Sequence, residues 1–266
     1  MKGMVRVPAG DAEIAVQVRG DGPALLLVHG FPFDHALWEH QLKTFPGWRR
    51  IAPDLRGAGN SSAPADGYSM ARYADDLIEV LNALDVAAAV VCGLSMGGYV
   101  IFELLRRHRS RVRAVILCDT RAEADSEEGR RGREEMIALA QSGGAAAVAD
   151  KMIPTLLAAE TRSERPEVEA YVREMILRTP VTGIVGALRA MRDRVDSTPL
   201  LADLRLPVLV VVGESDGITA PEAGSAMAGK IKGARFATVT GAAHLPPLEQ
   251  PFVTTRLFAD FLKNVL

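Results

Sequence analysis

Apolar positions recur along the chain at two different periods. Residues 4–8 and 13–19 alternate apolar and polar, with Ile14, Val16 and Val18 on one side, and predict an antiparallel hairpin. Residues 24–28 (Ala-Leu-Leu-Leu-Val), 87–92, 113–118 and 207–212 are nearly continuous apolar runs, as expected of strands buried on both faces. Shorter strands are predicted at 50–52 and 235–239. Between the strands the period lengthens. Residues 34–45 place Trp38, Leu42 and Phe45 on one helical face, with Asp34 as N-cap. Residues 69–84 keep Met70, Tyr73, Leu77, Ile78, Leu81 and Leu84 at helical spacing. Helices are also predicted at 96–107 and under the closing stripe Leu257, Phe258, Phe261, Leu262 and Val265. Strands alternating with helices imply βαβ units and a mostly parallel sheet.

The alternation stops between Asp119 and Leu206, where only helical patterns occur. Residues 125–140 carry Glu127, Glu128, Arg130, Arg131, Arg133, Glu134 and Glu135, a solvated face of mixed charge. Helical patterns continue over 145–158, 167–178 and 182–194. The expected fold class is therefore α/β, a mostly parallel eight-stranded sheet flanked by helices. Residues 1–120 and 196–266 form the core. Residues 121–195 form a helical cap, or lid, inserted after the sixth strand over the ligand-binding edge of the sheet.

Composition narrows the function. The chain has 266 residues, suited to one large α/β unit, and 48% hydrophobic residues, too many for a disordered chain. Lys and Arg total 31 against 33 Asp and Glu, a net charge of -2, without a basic patch. Nucleic acid is thus not expected as a partner. Cys92 and Cys118 are too far apart for a CxxC pair and lie in apolar stretches, as buried free thiols do. No apolar run approaches the roughly 18 residues of a membrane span, so no membrane partner is expected. The opening residues lack the apolar stretch of a secretory signal. The expectation is a cytoplasmic protein whose oligomeric state is open, a homo-oligomer included.

The strongest chemical signal is Gly93-Leu94-Ser95-Met96-Gly97, followed by Gly98, between a predicted strand and a predicted helix. This G-x-S-x-G context holds a serine on a sharp strained turn at a helix N-terminus. A serine hydroxyl needs an adjacent base. Of the five histidines, His108 sits at the far end of the helix that Ser95 opens, His40 is mid-helix, His35 opens a helix near the pocket, and His29 ends a buried strand. His244 lies in the loop Gly241-Ala242-Ala243-His244-Leu245-Pro246-Pro247 after the last strand, from which a base reaches Ser95's edge of the sheet. The orienting acid is Asp216, just after the strand at 207–212, with Asp119 the alternate acid. An ion pair with Arg121 at the lid entrance would explain Asp119 without catalysis. The backbone N–H groups of Met96 and Phe31 are the expected oxyanion donors, since Pro32 has none. Scattered histidines and the lack of HExxH predict no metal, and no G-x-G-x-x-G opens a helix, so no cofactor is expected.

Five segments in order, His29-Gly30-Phe31-Pro32, Asp54-Leu55-Arg56-Gly57-Ala58-Gly59-Asn60-Ser61, Gly93-Leu94-Ser95-Met96-Gly97-Gly98, Gly213-Glu214-Ser215-Asp216 and Gly241-Ala242-Ala243-His244, resemble the α/β-hydrolase superfamily. The similarity is to its compact bacterial branch of esterases, lactonases and cofactor-free haloperoxidases, and runs from about residue 14 to 265. Ala58 departs from it, where many relatives carry histidine; that segment is read as structural. The order Ser, Asp, His matches the family, and a serine nucleophile implies acyl transfer. The expected function is hydrolysis of small carboxylic esters or lactones through an acyl-enzyme. A perhydrolase or haloperoxidase-like reaction on the same triad, and a non-catalytic ligand receptor, are the alternatives. Phe31, Trp38, Met96, Met152, Ile153, Leu156, Leu157 and Leu245 are candidate pocket residues.

Overall fold

The hairpin expected at the start forms from β1 (Met4–Ala9) and β2 (Ala12–Arg19), with Val7 opposite Ile14 and Val5 opposite Val16. The computed structural model describes residues 3–265 and places eight strands in one sheet. After β3 (Ala24–Val28) come a 3-10 turn, His35–Trp38, and a short α1 (Glu39–Lys43). Next follow β4 (Arg49–Pro53), α2 (Met70–Ala83), β5 (Ala89–Leu94), α3 (Met96–Arg107) and β6 (Val112–Cys118). Five helices then intervene: α4 (Glu127–Leu156), α5 (Ala159–Glu164), α6 (Pro166–Arg178), α7 (Val181–Arg192) and α8 (Thr198–Leu201). The core resumes with β7 (Val208–Gly213), α9 (Pro221–Gly229), β8 (Arg235–Val239), α10 (Pro246–Glu249) and α11 (Pro251–Leu262).

The strand order is β1-β2-β4-β3-β5-β6-β7-β8. From β4 to β8 every neighbouring pair is parallel; β2 joins β4 antiparallel. Strands β3, β5 and β7 are buried at every position, because helices cover both faces. All parallel strands therefore deliver their following loops to one edge of the sheet.

Local departures from the expected pattern have identifiable causes. The helix expected over 34–45 is split. The Asp34 carboxylate accepts from Ala36 N at 2.8 Å, and Asp54 takes the His35 N–H at 2.7 Å. These two acceptors tighten the first turn into 3-10 geometry, and Phe45 leaves α1 with φ 55. The segments expected at 125–140 and 145–158 are one run broken at Gly144, whose φ of 68 and ψ of -169 no helix contains. Helix α9 was not foreseen: Pro-Glu-Ala-Gly-Ser-Ala-Met-Ala-Gly has almost no apolar stripe to signal it. Among the described residues, no helix is long and apolar enough to cross a membrane.

The inserted helices are fastened to the core near the strand ends. Arg178 of α6 pairs with Asp34 at 2.8 Å, and Thr179 Oγ1 donates to Pro32 O at 2.9 Å. The loop after β4 is held from beneath by Arg56, only 1% exposed, whose Nε and Nη2 donate to Asp76 of α2 at 2.6 and 2.9 Å. Without Asp76 the buried Arg56 guanidinium keeps a single carboxylate, the exposed Asp11 at 3.2 Å from Nη1, and loses its two buried bonds. Asp76→Ala should therefore lower unfolding free energy by about 3–5 kcal/mol in urea titrations. A loss under about 1 kcal/mol would show that the loop does not depend on this pair.

Candidate active site

Ser95 sits between β5 and α3 with φ 52 and ψ -115, a conformation costly for a residue with a side chain. Three bonds hold it. Its N–H donates to Cys118 O at 2.9 Å, and its carbonyl accepts from Gly98 N at 2.9 Å and from Thr120 Oγ1 at 2.8 Å. The turn is tight because Gly97 lacks a side chain: a Cβ there would lie 2.3 Å from Val28 O. Alone in its neighbourhood, Ser95 is partly exposed, while residues 89–94 and 96–105 are buried.

The loop leaving β3 lies against this turn. A Cβ placed on Gly30 would stand 3.2 Å from Ser95 Cβ. His29 fixes the loop. Its Nε2 accepts from Leu55 N at 2.9 Å, so Nδ1 carries the proton and donates to Gly30 O at 2.8 Å. Burial keeps this imidazole below its usual range, as suits a neutral structural histidine. The Phe31–Pro32 bond is cis. No hydrogen bond among the described residues takes the N–H of Phe31 or of Met96. Met96 opens α3, where amides lack intrahelical acceptors. Two free donors thus flank Ser95.

Asp216 and His244 meet at the same edge. Asp216 Oδ2 bonds His244 Nδ1 at 2.8 Å, and its Oδ1 accepts from Ile218 N and Thr219 N at 2.8 and 3.0 Å. Burial would raise this carboxyl, but the bond from His244 and the two amides outweigh it and hold it below the carboxylate range. An ionised Asp216 makes Nδ1 the protonated nitrogen and leaves Nε2 as a free lone pair. The β7 end fits closely under the His244 loop: a Cβ on Gly213 would lie 1.8 Å from Ala243 O. Asp119, Asp216 and His244 bring one donor atom each within 4.8 Å of one another. Cys118 and Thr120, on either side of Asp119, are the residues that hold Ser95's backbone.

A strand-borne serine turn, two free amides and an acid–histidine pair at one sheet edge match a known pattern. The family model described as alpha/beta hydrolase fold matches residues 23–251. The chain belongs to the α/β-hydrolase family. This α/β-hydrolase is 39% identical to a thermophilic esterase from Thermogutta terrifontis, solved with malate bound, with a TM-score of 0.96 and 99% of each chain covered. It is 28% identical to the enol-lactonase from Burkholderia xenovorans LB400, with a TM-score of 0.91 over 98% of this chain and 100% of the other. It is 25% identical to 3-oxoadipate enol-lactonase 1 of Acinetobacter baylyi, over 95% of this chain and 94% of that protein.

Other expected residues of this hydrolase fall in different places. The Asp119–Arg121 ion pair does not form. Asp119 turns inward with φ 45, fully buried, and accepts from Gly213 N at 2.8 Å, while Arg121 pairs with Asp125. The reason is the left-handed turn at Asp119, which points its side chain under β7. Trp38 is fully buried with its ring 6.3 Å from Phe258, against α11. Ile153, Leu156, Leu157 and Leu245 are buried; Met152 is half-buried. His108 lies partly exposed just past the far end of α3, with its Nε2 2.8 Å from Asp75. Ala58 borders a cavity of about 10 Å³ with Phe31, Met96, Thr179, Gly183 and Ala187, the room of one water. Cys92 and Cys118 are buried and unpaired, as expected.

Two groups of side chains have ligand-like spacing, Asp119-Asp216-His244 and Asp34-His35-Asp54. In each the donors are turned on one another or on amides rather than on a shared point, and Asp34 already pairs with Arg178. Thr120 and Glu249, which hold the site from behind, carried no sequence signal, because a single Thr or Glu in a loop matches no pattern.

His35 reports the local electrostatics. Burial opposes its charge, but the Asp54 carboxylate, 2.7 Å from Nδ1, outweighs burial and raises the imidazole above its usual range. Folded His35 thus binds its proton more tightly than the unfolded chain does. That stabilisation is full below about pH 6.5 and fades as the pH rises through the raised value. The stability lost in His35→Gln, measured by urea titration, should be greatest near pH ~5.5 and shrink above pH ~8. An equal loss at both would contradict the pairing.

Proposed function

We propose that this α/β-hydrolase is a serine hydrolase that cleaves small carboxylic esters or lactones through an acyl-enzyme. The observations that carry the reading are the buried Asp216–His244 bond, in loops that follow β7 and β8, and the strained, partly exposed Ser95, in the turn that follows β5, all at the same edge of the parallel sheet. The printed names of the similar proteins, esterase and enol-lactonase, support the substrate class.

The reaction follows from the groups. Ser95 Oγ attacks the carbonyl carbon while His244 Nε2 takes its proton. The N–H groups of Phe31 and Met96 meet the oxyanion as it forms. Asp216 holds the tautomer and offsets the imidazolium charge. Collapse of the tetrahedral intermediate expels the alkoxide, which His244 protonates; from a lactone, this oxygen stays attached to the acyl group. Water then gives its proton to His244 as it attacks the acyl-enzyme carbonyl; collapse of the second tetrahedral intermediate breaks the bond to Ser95 Oγ, which takes that proton back from His244, and frees the acid. Helices over 121–195 serve as the lid, and Phe31, Met152, Ile153, Leu156, Leu157 and Leu245 line the acyl space.

Ser95→Ala should remove activity on p-nitrophenyl acetate by a factor on the order of 10⁶ while leaving circular dichroism unchanged. Activity within tenfold of the parent would exclude Ser95 as nucleophile.

The two acids separate in the same assay. Asp216→Asn should lower kcat by about 10⁴, because the amide presents the wrong tautomer of His244. Asp119 behaves differently: burial and the neighbouring Asp216 carboxylate push its carboxyl well up, toward the neutral form. Asp119→Asn keeps a neutral group and an acceptor for Gly213 N–H, so it should cost far less. An inactive Asp119→Asn beside a near-normal Asp216→Asn would move the acid to the earlier strand.

A further inference from the structure

Glu249 ends α10 with its side chain fully buried, and its carboxylate has two ends that face different parts of the molecule. Oε1 accepts from Ala243 N at 2.8 Å and Leu245 N at 3.2 Å, the amides on either side of His244. Oε2 accepts from Ala158 N at 2.7 Å and Thr161 Oγ1 at 3.0 Å, at the corner between α4 and α5. A further bond runs the same way: His244 N donates to Leu156 O, the last residue of α4, at 3.1 Å. The backbone of His244 is therefore tied to the inserted helices through three consecutive residues. A buried carboxylate is costly unless its lone pairs are met, and here four donors meet them.

We propose that Glu249 is a positioning residue that couples the α4–α5 corner of the lid to the loop carrying His244. Seating of the lid over substrate and placement of the base are then one event. The proposal rests on the reading of His244 as the base. Among the described residues no other side chain bonds both amides that flank His244, and Glu249 is itself bonded only to backbone amides and the Thr161 hydroxyl. A lid that lifts at Ala158 and Thr161 pulls on the carboxylate that sets the height of Ala243 and Leu245. An amide cannot replace it. With Glu249→Gln in one orientation, the NH₂ faces Ala158 N–H; in the other it faces both Ala243 N–H and Leu245 N–H. Either way a buried donor meets a donor.

The test measures kcat and KM on p-nitrophenyl acetate for Glu249→Gln, Thr161→Val and the double variant, below the melting temperature of each. The rate at which a small phosphonate ester labels Ser95 is followed in parallel, because that step also needs His244. Glu249→Gln should lower kcat and the labelling rate together by about 10², with KM changed far less. Thr161→Val, which removes one of the two lid-end donors and leaves both amides beside His244 in place, should lower both by about fivefold, and the double variant should be no slower than Glu249→Gln. A lower melting temperature with parental kcat and labelling would make Glu249 merely structural and overturn the coupling. If Glu249→Gln does not fold, Thr161→Val decides: parental kcat and labelling overturn the proposal. Ser95→Ala distinguishes the two levels. If it stays active, the reading of the site falls with the coupling; if it is inactive while the Glu249 and Thr161 variants are parental, only the coupling falls.

Discussion

Everything at this sheet edge depends on a serine held in a backbone conformation it would not choose. At φ 52 and ψ -115, Ser95 carries strain of order 1–3 kcal/mol that its surroundings must offset. They do so with bonds from β6 and its loop: Cys118 O takes the Ser95 N–H, and Thr120 Oγ1 donates to its carbonyl. Close packing finishes the work, since only a glycine at 97 lets α3 start against Val28 O. The consequence is geometric. The Ser95 side chain is left partly exposed, the Met96 N–H that follows it has no acceptor among the described residues, and the Gly30 end of the loop after β3 lies against the same turn.

The second constraint is charge. Asp216 and Asp119 are both buried within 4.8 Å of His244, and two carboxylates so placed do not both ionise without cost. The donors decide between them. Asp216 receives two amides and the imidazole, whereas Asp119 receives one amide and lies beside the Cys118 thiol, 3.1 Å away. Ionised Asp216 next to neutral Asp119 is the distribution these bonds favour. It leaves a single negative charge to orient His244. Further out, Asp34 and Arg178, Arg56 and Asp76, and Glu249 with its four donors pin the loops and inserted helices from which the site is assembled.

Much of this was legible in the residues. Continuous apolar runs marked β3, β5, β6 and β7 within about two residues, because strands buried on both faces admit little else. Gly93-Leu94-Ser95-Met96-Gly97 located the strained turn, because glycine spacing there answers a steric demand that few other contexts impose. The Asp216–His244 pairing followed from loops that leave neighbouring strands on one edge. What stayed hidden depends on direction rather than identity. The inward turn of Asp119 is set by a single φ of 45, and Arg121 two residues on suggested a partner it does not reach. Trp38 read as a pocket wall because a periodic stripe does not say which neighbour it meets; it meets Phe258. Glu249 and Thr120 act through bonds to backbone far away in sequence, and such bonds leave no periodicity.

The most direct measurement is to quench the reaction with p-nitrophenyl acetate in acid during the first turnovers and map the protein by peptide mass spectrometry. The account predicts an acetyl group on the peptide containing Ser95, localised to that residue, appearing with the first burst of nitrophenol and absent from Ser95→Ala. Turnover by the parent with no acyl group on Ser95, or with the group on another side chain, would contradict it.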